Sequence, residues 1–156
     1  MPCLCGEFAM TSFTLTTDNI RTTLEGDSAL DSFCLSKWGK SLTVRKEFRN
    51  RAEVPTSDLP LIMITRPGTG RTDIIQGREW EHAVRLYCGF HQPDRTKAQD
   101  ELVAFEELIE DALIADTMRG GTAIDTDPES TANDEGLYHP VYFMVMELKI
   151  IAERMY

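Results

Sequence analysis

The sequence predicts a single acidic domain of the α+β class. Three observations carry that prediction. Residues 79–90 alternate with period two, Trp80, Val84, Leu86, Cys88 and Phe90 sharing one side and Glu79, Glu81 and Arg85 the other, as in a half-buried strand. Residues 98–116 carry apolar side chains at three- and four-residue steps, the period of an amphipathic helix. Helical patterns dominate the first forty residues, and the second half reads as strand, helix, strand.

At 156 residues, with 42% hydrophobic and 27% charged side chains, the chain has room for one domain with an ordinary core. No apolar run approaches the roughly 20 residues that span a bilayer. The N-terminus, MPCLCGEFAM, has neither a basic region nor a long apolar stretch, so a soluble protein made in the cytoplasm is expected. Residues 1–15 show no period and read as a flexible N-terminal tail, with one domain over 16–156. Thr16, Thr17 and Asp18 are candidate caps for a helix bearing Ile20 and Leu24. Gly26-Asp27 interrupts it, and Leu30, Phe33 and Cys34 resume the stripe until Gly39 closes it. Leu42-Thr43-Val44 suggests a short strand. Leu59-Pro60-Leu61-Ile62-Met63-Ile64 is a continuous apolar strand covered on both faces, ended by the turn-forming Pro67-Gly68-Thr69-Gly70.

The next strand places Trp80, His82, Val84, Leu86, Cys88 and Phe90 on one side. His91-Gln92-Pro93-Asp94 turns the chain, and Asp94 or Thr96 caps the helix that follows. Ala98, Leu102, Phe105, Leu108, Ile109, Ala112 and Leu113 form its apolar stripe. Asp100, Glu101, Glu106, Glu107, Glu110 and Asp111 occupy the other positions, and Arg119-Gly120-Gly121 ends it. Thr122-Ala123-Ile124 reads as a small-residue strand, and residues 125–136 as a polar, acidic hairpin loop. A long final strand runs over 141–151, with Tyr142, Met144, Met146, Leu148, Ile150 and Ala152 on one face.

The formal charge of −10 is unevenly distributed. Residues 1–78 hold ten Lys/Arg against nine Asp/Glu, whereas residues 79–156 hold six against seventeen. Such an acidic surface disfavours nucleic-acid binding, which depends on cations neutralising phosphates. Within the first half, Lys37, Lys40, Arg45, Lys46, Arg49 and Arg51 face only one acid, Glu47. That segment reads as a solvated loop and edge strand, or as a contact patch for an acidic surface.

Motifs for chemistry are weak. Gly68-Thr69-Gly70-Arg71-Thr72 lacks the spacing and the lysine of a phosphate loop. No G-x-S-x-G elbow is present, and His82, His91 and His139 are scattered. Cys3-Leu4-Cys5 has no second pair at zinc spacing, and Cys34 and Cys88 fall on apolar faces. The pairs Glu106/Glu110 and Glu107/Asp111 lie one helical turn apart, but no electrophile or pocket-forming motif accompanies them. No cofactor, metal or catalytic residue is expected, and the chain reads as a non-enzyme.

The order of elements is nevertheless informative. An N-terminal helical region precedes the Leu59–Ile64 strand, then the Trp80-Glu81-His82-Ala83-Val84-Arg85-Leu86-Tyr87 strand. The Ala98–Asp116 helix and the Val141–Ile151 strand follow. Over residues 17–152 this succession resembles the tail terminator (minor tail U-type) proteins of long-tailed bacteriophages and prophages. The resemblance implies a mixed, mostly antiparallel sheet with helices packed on it. It also implies a structural protein of the virion tail that forms a hexameric ring, caps the tail tube, ends its polymerisation and offers a head-joining surface. Partners would then be further copies of the chain, the tail tube protein and a head-completion or connector protein. DNA would pass through the lumen without sequence-specific binding, no membrane would be involved, and assembly would take place in the host cytoplasm. In such a ring Arg45, Lys46, Arg49 and Arg51 would meet Glu106, Glu107, Glu110 and Asp111 of a neighbour. The alternative is a monomeric adaptor that binds one protein partner by edge-strand addition.

Overall fold

The computed structural model describes residues 12–47, 49–71, 79–121, 123 and 125–153. Cys3, Cys5 and most of the segment expected as a tail lie outside these residues. Helix α1 (Ser12–Gly26) starts ahead of the caps expected at Thr16–Asp18. Thr16 and Thr17 are buried inside it, and the Thr17 hydroxyl donates to Thr14 O at 3.1 Å. Helix α2 (Ser28–Trp38) is capped by Asp27, whose side chain accepts from Leu30 N at 2.9 Å. Gly39 closes α2 at φ 72°, a left-handed conformation that glycine adopts at low cost, and its N–H bonds Leu35 O.

The sheet has five strands in the order β1-β2-β3-β5-β4. These are β1 (Thr43–Arg45), β2 (Leu61–Arg71), β3 (Glu79–His91), β4 (Asp125–Asn133) and β5 (Val141–Glu153). β1 runs parallel to β2, and every other pairing is antiparallel. Helix α3 (Arg95–Ile114) connects β3 to β4. Asp94 caps it by accepting from Thr96 N at 2.9 Å. The Thr96 hydroxyl and N–H together hold the Asp94 carboxyl below the usual carboxylate range. A mixed, mostly antiparallel α+β domain with helices packed on its sheet is therefore the fold that the sequence suggested.

The alternation read from β3 and β5 decides where the core lies. Val84, Leu86, Cys88 and Phe90 face the helices together with Met144, Met146, Leu148 and Ile150. Ile20 and Leu24 of α1, Leu30 and Cys34 of α2, and Phe105, Ile109 and Leu113 of α3 close over them. Burying each large side chain contributes roughly 1.5–3 kcal/mol. Trp38 stacks on Phe90 (4.5 Å between centroids) and meets Phe105 edge-on at 5.1 Å. On the outer face of the sheet, Leu59, Leu61 and Met63 form a smaller cluster with Val54, Tyr87 and Val141.

Three expectations are corrected. β2 does not turn at Pro67–Gly70 but continues to Arg71, because a register shift between Thr65 and Gly68 absorbs Pro67. Residues 125–133 are an edge strand and not part of a loop, with Pro128 beside a second register shift, where the missing N–H is tolerated. Ala123 is not in a strand; its N–H bonds Met118 O at 3.0 Å. Residues 122 and 124 lie outside the described set.

Candidate assembly surfaces

The basic segment is built on the β1 edge. After β1 the chain crosses to the outer face in two short 3₁₀ turns, Arg51–Glu53 and Thr56–Asp58. This brings Asp58 back beside the cations. Arg45 lies 3.8 Å from Glu47 and 3.6 Å from Asp58. Arg49 bonds Asp58 at 2.9 Å and also Glu47, so its pKa is raised by those two acceptors. Lys46 reaches Asp18 of α1 at 2.6 Å. Arg51 lies over the rings of Tyr87 (6.0 Å) and Phe143 (5.8 Å), within cation–π range. The cluster is thus matched by acids of its own chain that lie up to 28 residues away in sequence. Pairs of this kind near the surface are screened by solvent and add little to stability.

The acids of α3 lie on the other side of the sheet. Glu107 and Asp111 are exposed, while Glu106 and Glu110 are half-buried. Glu106 lines a cleft of about 530 Å³ between α3 and the β4–β5 turn, with Ala98, Leu102, Val103, Tyr142 and residues 133–136. Among the ion pairs of the described residues, none joins these acids to Arg45, Lys46, Arg49 or Arg51.

Glu101, read from sequence as one more acid of the solvated face, is buried. Its carboxylate accepts from Trp38 Nε1 at 3.1 Å and from Gln92 Nε2 at 2.8 and 3.0 Å. Only its position beside Leu102 hinted at this, since a charge at the border of a helix stripe can point either way. Arg119 was also missed. It is fully buried, has φ 51°, and bonds Leu113 O, with burial lowering its pKa.

The outer face over β3 and β5 carries cross-strand ion pairs: Arg85–Glu147 at 2.8 Å and Lys149–Glu81 at 2.5 Å. Such pairs fix register and leave the face balanced in charge. Burial pushes the Cys34 thiol up to about 12, with Asp31 adding to the shift, and raises that of Cys88 further. Neither is a poised nucleophile. Among the described residues no group of three or more His, Cys, Asp or Glu could hold a metal ion. No described helix is long and apolar enough to cross a membrane.

No protein-family model matches the chain, and no curated protein matches it. Solved structures do. One chain from a structure described as "Virion of native gene transfer agent (GTA) particle" superposes with a TM-score of 0.52 at 11% identity. The alignment covers 86% of this chain and 91% of that one. At that identity the likeness is one of fold, and it extends over nearly the whole of both chains.

Proposed function

We propose that this chain is a structural component of a phage-like particle, and within that class a tail terminator. In this role it caps the tail tube as a hexameric ring, stops tube growth and presents a surface to the head connector. The observation that carries the proposal is the fold shared, almost end to end, with a chain of a gene transfer agent virion. The element order that resembles tail terminators points the same way. The surface is consistent with assembly, because the basic 45–51 segment and the exposed acids of α3 lie on different sides of the sheet and make no ion pair with each other among the described residues. The basic 45–51 segment reaches the outer face, where Arg51 sits on Tyr87 and Phe143. Glu107 and Asp111 project from the helix layer. A meeting of the two must therefore occur between copies, and the intramolecular pairs of Arg45, Lys46 and Arg49 would have to be shared or exchanged in it.

Light scattering and negative-stain microscopy of the full chain, alone and with tail tube protein, test this reading. Rings of about six copies and tubes of limited length are expected. A chain that remains monomeric at every concentration and leaves tube length unchanged would overturn it.

A further inference from the structure

We infer that copies of this chain join head-to-tail through the two open edges of the sheet, β4 of one copy lying beside the distal half of β2 in the next. The inference rests on the assembly reading above and specifies its contact. β1 covers β2 only at Leu61–Met63. From Arg66 onward, β2 has no strand on that side among the described residues, and Arg66, Pro67 and Gly68 are exposed. At the other end of the sheet β4 pairs only with β5 among the described residues. An edge strand presents a row of main-chain donors and acceptors that a second strand can satisfy.

Register brings the matching parts to one height. Asp125 stands opposite Ile151, Ile151 opposite Glu81, and Glu81 opposite Gly70. Asp127 leads likewise through Lys149 and Ala83 to Gly68. The half of β4 that carries Asp125, Asp127 and Glu129, all exposed, is therefore level with the uncovered half of β2. That half carries Arg66 and ends at Arg71. Polarity agrees as well. Sliding one copy along the sheet sets β4 antiparallel to the neighbour's β2, because β4 and β2 run in opposite directions within the chain. Unlike edges that fit each other make a heterologous contact, which closes into a ring when the rotation allows.

Pro67 and Pro128 each sit beside a register shift. Prolines and bulges at edges discourage indiscriminate strand addition. Fewer main-chain bonds are left to form, so the opposite charges select the partner edge, which here is a second copy.

Disulfide trapping tests the contact. Arg66→Cys is combined with Glu129→Cys, because Thr65 is level with Ser130 and Gly68 with Asp127. The background is Cys3→Ser/Cys5→Ser, in which Cys34 and Cys88 stay buried. Within one chain the two positions are separated by three strand spacings, about 14 Å at ~4.8 Å each. A disulfide requires roughly 4.4–6.8 Å between Cα atoms, so any bond must join two copies. Oxidation should give a ladder of covalent oligomers that neither single cysteine gives. Oligomers by light scattering without a ladder would overturn the edge contact and leave the assembly reading standing. Monomers with no ladder would overturn both. A charge exchange guards against a variant that merely misfolds. Arg66→Glu and Glu129→Lys should each abolish association at a concentration where the parent assembles, and the two together in one chain should restore it. Failure of the pair to restore it would count against the contact.

Discussion

Gly89 shows at the scale of one residue how tightly the outer face of the sheet is closed. A Cβ built there would lie 2.7 and 2.9 Å from ring carbons of Phe143 and 3.1 Å from Leu59 Cδ2. Phe143 is itself buried, so its ring has little freedom to give way. Gly89→Ala should cost about 1–3 kcal/mol through overpacking, measured as a lower denaturant midpoint. An unchanged midpoint would show that the Phe143 ring swings aside. His82 makes a different point. Burial on the helix face, with the charge of Arg66 nearby, lowers its pKa from 6.5 to about 4. Above pH 6.5 neither the folded nor the unfolded chain holds the proton. Between pH 6.5 and 4 the unfolded chain binds a proton that the fold refuses, so stability declines as pH falls. The loss has a ceiling on the order of 3 kcal/mol, because a proton bound only by the unfolded chain costs about 1.4 kcal/mol for every pH unit crossed. His82→Leu should lose distinctly less stability than the parent between pH 7 and pH 4.5 in urea melts; equal losses would rule out His82 as the source.

At the scale of elements, Glu101 joins three of them. It holds Trp38 at the end of α2 and Gln92 just after β3 from its place in the second turn of α3. Gln92 in turn accepts from Asp94 N at 3.0 Å, steadying the cap of α3. Glu101→Ala would leave the indole N–H and the Gln92 amide without their acceptor, and should cost about 2–3 kcal/mol, read by thermal or urea unfolding. A loss well under 1 kcal/mol would mean that water replaces the carboxylate. This network was not legible in the sequence, because it depends on where a helix border falls against a turn. The long elements were legible. β3, β5 and α3 announce themselves by period, since each has one face in the core and one outside. β4 was not, because its position at the edge of the described sheet and its mostly exposed side chains place no demand for apolar residues on it. The end of β2 was hidden for a related reason: Pro67 and Gly68 signal a turn, yet here they mark a bulge on an open edge. The basic segment was visible as a run of charge, whereas its counter-ions Asp18 and Asp58 come from parts of the chain that only the fold brings near.

For the whole molecule, sequence likeness and fold likeness diverge. No family model or curated sequence matches, while the architecture superposes on a virion chain. Patterns of burial survive substitutions that erase identity, because a sheet needs only apolar residues at alternate positions on its covered face. The same architecture bears on how the chain is made. β5 is the last of the five strands in the chain, yet it lies in the interior of the sheet, between β3 and β4. Its pairing with β3 spans residues as far apart as Glu79 and Glu153, a non-local closure of the slow-forming kind. Until β5 leaves the ribosome, β4 lacks the one strand it pairs with among the described residues, and the apolar flank of β3 stays open. In the edge contact inferred above, the β2 side stands as soon as β2 and β3 pair, whereas the β4 side is complete only once β5 has been synthesised, so the two halves of the contact mature at different times.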